Sequence, residues 1–181
     1  FQEDFRKTKT IRRYEIDVKK FPVVVIESDD WGVEQGEKMT ETPARLQAVF
    51  DVLSKHRGAD GQPAVLTAFT CMANPDFDMI RTDGFSAYHD LAIDETPEGR
   101  RILDQYRNAM NMGIWEPEYH ANLHHVSPRR WMALLREKSP AGEAARKRFD
   151  QKVYAQGYHI PEYLGYNLPE QKAIIEQGLA R

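Results

Sequence analysis

Apolar positions along this chain follow two rhythms. Residues 22–28 hold an unbroken β-branched run, Val23, Val24, Val25 and Ile26, opened by Pro22. Such a run predicts a strand, and its lack of alternation predicts cover on both faces, as in a parallel sheet. Leu46, Val49, Phe50 and Leu53 then fall at helical spacing behind Thr42 as cap and Pro43 as first residue. "GADGQP" (58–63) breaks the chain, and "AVLTAFT" (64–70) predicts a second strand. Strand, helix, strand is a βαβ start, which implies a right-handed crossover.

From Asn74 to about Glu98 the pattern dissolves into Pro, Asp, Gly and aromatics, predicting a long irregular excursion over one end of the sheet. Helical periodicity returns from Pro97 to Met112, closed by Gly113. After "IWEPEYHANLHH", Ser127 and Pro128 form a cap and first turn, and "SPAGEAARKRFDQKVY" repeats that signature. "LPEQKAIIEQGLAR" predicts a final helix with no strand after it. Strands alternating with helices place the chain in the α/β class. A βα series that stops on a helix is expected to be part of a longer fold.

Composition narrows the field. The 181 residues suit one domain, and 41% hydrophobic with 29% charged residues is ordinary for a soluble globular chain. A net charge of −3 gives no electrostatic case for nucleic acid. No apolar stretch is long enough for a membrane helix. The charged opening "FQEDFRKTKTIRRYE" shows no export signal, although a start on Phe1 is compatible with processing. The single cysteine, Cys71, excludes an internal disulfide and reads as a small hydrophobe beside a strand end.

Candidate chemistry sits at the end of the first strand. "ESDDWG" puts Asp29 and Asp30 side by side, followed by Gly32 and Gly36, and functional residues of parallel sheets collect at the carboxyl ends of strands. Adjacent carboxylates repel, and a bound cation resolves this, with one carboxylate as ligand and the other free as a base. "HANLHH" supplies His120 and His124, which in helical geometry project from one face and reach one ion. Among six histidines such a spacing is a modest signal by itself. His125 adjoins His124 and chelates poorly with it on a helix. Ala121 stands where a thermolysin-type motif has its Glu, so the base has to come from Asp29 or Asp30. An Asp with two His leaves a coordination position open, the arrangement of a hydrolytic metal site.

A strand ending in Asp-Asp-x-Gly, with His-x-x-x-His much later, resembles the polysaccharide deacetylases of carbohydrate esterase family four, the NodB-homology domains. The contexts "PVVVIESDDWG", "ANPDF" and "EYHANLHH…RRWMALL" are similar to a bacterial subgroup of that family, over about residues 20–180. The resemblance implies a partial or distorted (β/α) barrel and a divalent metal, zinc above all, at the carboxyl ends of its strands. It implies hydrolysis of N- or O-acetyl groups on a sugar polymer or oligosaccharide. Asp29 would be the catalytic base, and Asp30, His120 and His124 the metal ligands. By resemblance alone, the setting is the cell envelope or an extracytoplasmic space. Ser28 replaces the family's aromatic residue, Trp31 is inserted before Gly32, and Ala121 replaces a Ser or Thr. The family's later motifs, an Arg that orients the catalytic Asp and a His that protonates the leaving group, are expected beyond the end of this chain. His159, in "GYHIPEY", lacks their context. The expectation is the N-terminal portion of a longer domain.

Trp31 is expected either to stack on a sugar as a substrate-binding residue or to pack under the loop. Glu27 and Glu118 are second candidates to orient the histidines, with solvated roles favoured, and His89 reads as a turn residue. The Arg pairs at 12–13, 100–101 and 129–130 read as solvated helix faces. Two other classes compete. A receiver-like signalling domain also has an acidic pair after its first strand, but the second strand here ends in Thr70 and Cys71 rather than a phosphoacceptor Asp. A non-catalytic glycan-binding or scaffold domain would keep the fold and the ion without turnover.

Overall fold

A computed structural model describes residues 19–20, 23–32, 43–123, 127–153 and 162–181. Three parallel strands, β1 (Glu27–Trp31), β2 (Leu66–Cys71) and β5 (Trp115–Ala121), form one sheet in the order β1-β2-β5. Helix α1 (Pro43–Lys55) lies between β1 and β2 in sequence, and α3 (Pro97–Asn111) leads into β5. The architecture is therefore mixed α/β around a parallel sheet, as the alternation predicts. Among the described residues the strands do not close into a barrel.

Both helices pack on one face of the sheet. Leu46, Phe50 and Leu53 of α1 and Ile102, Tyr106 and Ala109 of α3 bury against Leu66, Ala68 and Trp115. A bond from Gln105 Nε2 to the carbonyl of Pro43 (2.9 Å) joins the two helices. Strand alternation assigns the other face to Thr67 and Phe69 of β2 and to Glu116, Glu118 and His120 of β5, all half-buried or exposed. Phe69 and His120 are ring neighbours there, with centroids 6.4 Å apart. One face carries the core and the other carries polar chemistry.

Two expectations change. The run Val23–Ile26 is not a strand covered on both faces: Val24 is 84% exposed, and regular pairing begins at Glu27. The reason lies in register. The amide of Thr67 bonds the carbonyl of Ile26 (3.0 Å), and β2 starts at Leu66, so earlier residues of the run have no strand beside them in β2. The excursion after Asn74 is also more regular than expected. It holds a hairpin of β3 (Ala73–Pro75) and β4 (Asp90–Ala92), a short helix α2 (Phe77–Thr82) and a 3-10 turn (Ile93–Glu95). Asp76 caps α2 through the Met79 amide (2.9 Å), and the Asp83 carboxylate binds the amides of Ser86 and Ala87. Aspartates that read as loop formers are here fastening short turns.

The remaining helices obey their caps. Ser127 precedes α4 (Pro128–Arg136), Ser139 precedes α5 (Pro140–Asp150), and Asn167 with Glu170 makes a capping box for α6 (Leu168–Leu179). Each starts with Pro in its first turn, where the missing N–H costs nothing. A second core joins α2, α4 and α5 through Phe77, Ile80, Trp131, Met132, Leu135, Ala145 and Phe149. Helix α6 lies against β5: the Asn122 amide group donates to the Ile174 carbonyl (3.0 Å), and Gly178 sits so close to Tyr119 that a Cβ would fall 2.4 Å from its ring. A bidentate pair between Arg181 and Asp90 (2.9 Å each) ties the end of that helix to β4. Among the described residues no helix is long and apolar enough to cross a membrane.

Phe149 is fully buried and its ring meets those of Phe77, Phe85 and Trp131. Phe149→Ala is expected to destabilise the protein by about 3–5 kcal/mol, read as a lowered urea midpoint at unchanged m-value.

Candidate metal centre

The two adjacent carboxylates pose a geometric problem, because neighbouring residues of a regular strand point to opposite faces. The chain solves it with an irregularity. Ser28 pairs with Ala68 and Trp31 with Thr70, so three steps along β1 match two along β2. The extra residue lies in Asp29–Asp30, and Asp30 adopts φ 66°, the left-handed region that Asp tolerates better than most residues. This bulge breaks the alternation and re-aims a side chain, as bulges beside functional sites do.

Strand β5 does the same at the same level. Thr70 pairs with Tyr119 and Cys71 with Ala121, leaving His120 as the extra residue. Two irregularities thus flank the carboxyl end of β2, one bearing the carboxylates and the other the imidazole. They bring Asp29, Asp30 and His120 together: one ligand atom from each lies within 4.8 Å of the others. His120 Nε2 and Asp30 Oδ1 are 3.3 Å apart, with the side chains 32% and 51% exposed, so the cluster is open to solvent.

His120 is accordingly a strand residue, not one member of a helical pair. The segment pairs with β2 from Trp115 onward, and that pairing overrides the helical reading of the His-x-x-x-His spacing. His124 lies outside the described residues, as do His125 and His159.

Gly32 makes the approach of the strands possible. Its φ is 125°, and a Cβ there would lie 2.4 Å from the carbonyl oxygen of Cys71. Trp31, between the acidic pair and Gly32, packs on the helix-covered core, edge-on to Trp115 with centroids 4.9 Å apart. Among the described residues its buried indole N–H has no acceptor, and the ring's contacts there are packing contacts. Cys71 is half-buried at the end of β2. Glu27 and Glu118 are exposed on their strands. His89 bonds Asp83 (2.7 Å) and closes the turn after α2.

One residue with a bearing on the site escaped the sequence reading. Glu162, 6% exposed, accepts the amides of Leu123 (3.1 Å) and Asn122 (3.3 Å), immediately after β5. Burial pushes its carboxyl above the usual range, and those two N–H groups oppose the shift. Beside it, Tyr119 and Tyr163 place their hydroxyls 3.4 Å apart, and burial, first of all, raises both phenols. Nothing in "PEYLGY" distinguishes Glu162 from a surface Glu; the two amides it accepts are remote in sequence.

The donor set of the cluster fits a divalent cation. Two carboxylates and an imidazole are the oxygen and nitrogen ligands of zinc-type sites, and metal–ligand bonds near 2.0–2.1 Å at tetrahedral angles separate two ligand atoms by about 3.3 Å. The 3.3 Å Asp30–His120 separation is compatible with that spacing and is also that of a direct ion pair. Asp29, Asp30 and His120 together form a group that could hold a metal ion. The chain matches no protein-family model, no curated protein and no solved structure.

Gly32→Ala is expected to push β1 from β2 and spread the cluster. The measurable result is a loss of about 2 kcal/mol or more of stability, because backbone rather than a mobile side chain occupies the space. A variant as stable as wild type in urea melts would show that the close approach at Cys71 is not a constraint.

Proposed function

We propose that this protein is a metal-dependent hydrolase that removes acetyl groups from a carbohydrate polymer or oligosaccharide. Its fold on this reading is a partial (β/α) barrel of the polysaccharide deacetylase type. The observation that carries the reading is the convergence of Asp29, Asp30 and His120 at the carboxyl ends of parallel strands, through irregularities in two different strands. The one-sided placement of α1 and α3 supports the barrel reading, since a (β/α) barrel keeps its helices outside its strands.

Asp30 and His120 would hold the ion, with His124 as the further ligand that the motif resemblance implies. A divalent ion of the zinc type supplies Lewis acidity toward a carbonyl and acidifies a water at an open position. Asp29, adjacent and exposed, takes a proton from water as the oxygen adds to the acetyl carbonyl carbon. Collapse of that adduct breaks the C–N or C–O bond, releases acetate and returns the proton to the departing amine or alkoxide. Openness of the cluster to solvent suits a polymer, which has to reach the ion from outside.

The test is paired measurement of bound zinc and of acetate released from N-acetylated chitooligosaccharides and O-acetylated glycans. Wild type is expected to bind one zinc and release acetate. Asp29→Asn should keep the zinc and lose activity by about 10²-fold or more. Asp30→Asn and His120→Ala should lose the zinc. Glycan binding with zinc but without acetate release would instead identify a non-catalytic binding domain.

A further inference from the structure

We infer that Glu162 is a positioning residue for the metal centre proposed above: its buried carboxylate fixes the backbone turn that aims His120 at Asp30. The inference rests on that metal reading and on the hydrogen-bond accounting of one short segment. After the irregularity at His120, the chain leaves the regular ladder. The carbonyls of Ala121 and Asn122 are taken by the amides of Met72 and Ala73 (2.9 Å each), which fastens one side of the segment to the end of β2. Its other side has the N–H groups of Asn122 and Leu123, and both turn to Glu162. Asn122 is 4% exposed and Leu123 1%, so both residues are set back from bulk solvent. Buried backbone groups need partners, and one carboxylate satisfies two consecutive amides, an arrangement that a neutral side chain reproduces poorly.

The consequence for His120 is direct. It stands two residues before the clamped Asn122, and on its other side β5 is held by pairing with β2 through Tyr119. Its backbone is therefore fixed at both ends, and the 3.3 Å approach of its Nε2 to Asp30 depends on the anchorage at each. Glu162 is delivered from the segment before α6, whose own packing on Asn122 and Tyr119 supports the clamp from the same side. Removing the clamp leaves that end of the turn held only through its bonds to Met72, Ala73 and Ile174, without touching an ion ligand.

The experiment compares wild type, Glu162→Gln and Ile80→Val, each loaded with cobalt(II). Ile80→Val is a mild core control in the second hydrophobic cluster. Affinity is read by chelator competition and coordination by the visible spectrum. Glu162→Gln keeps one acceptor oxygen but sets an NH2 group against a backbone N–H. It is expected to bind cobalt roughly tenfold to a hundredfold more weakly and to shift the visible bands, with Ile80→Val matching wild type in both. Wild-type affinity and spectrum in Glu162→Gln would overturn the inference, as would an equal loss in Ile80→Val, which would trace the effect to general destabilisation. Wild type that binds no cobalt would refute the metal reading itself, and this inference with it.

Discussion

Everything proposed for this protein depends on a local mismatch between strands. At the level of Thr70, β2 runs straight while β1 and β5 each carry one residue too many. A perfect three-stranded ladder would send Asp29 and Asp30 to opposite faces and spread the acidic group. The extra residues gather the two carboxylates and an imidazole at one end of the sheet. The cost is visible in the left-handed conformation of Asp30, which a structure keeps only where its surroundings impose it. Here they do: Trp31 is locked against Trp115, and Gly32 lies against the Cys71 carbonyl.

The helix-side core supplies the rigidity behind that strain. Ala68 is fully buried, and Thr70 returns its hydroxyl to the Ala68 carbonyl (3.0 Å), so β2 presents no loose polar group to the helices. Trp115 meets Phe50, Tyr106 and Trp31 within 5.2 Å between ring centroids, which ties α1, α3 and the end of β1 to one side chain. The polar face opposite is left to chemistry. Such a division suits a site that has to stay accessible while its ligands are held still.

Much of the frame could be read from the chain, because its signals are local. The Ser-Pro starts of α4 and α5, the stripe of Leu46, Phe50 and Leu53, and Gly113 after α3 with φ 70° are each decided by a few neighbouring residues. Asp29 as base and Asp30, His120 and His124 as ligands were also legible as candidates, though not the strand geometry that brings Asp29, Asp30 and His120 together. Failures came where the deciding partner is distant. Val23–Ile26 has the composition of a buried strand, but only the starting point of β2 tells where pairing begins. The spacing of His120 suggests a helix until the pairing of Trp115 with Leu66 makes it a strand. Glu162 matters through two amides some forty residues earlier, a relation that no local pattern encodes.

The central claim is that Asp30 and His120 share one divalent ion. A crystal structure of the protein grown with zinc, with anomalous difference density collected at the zinc edge, tests it most directly. The account predicts a single strong peak at about 2.0–2.2 Å from an Asp30 oxygen and from His120 Nε2. Density elsewhere, or none between these two side chains at saturating zinc, would contradict it.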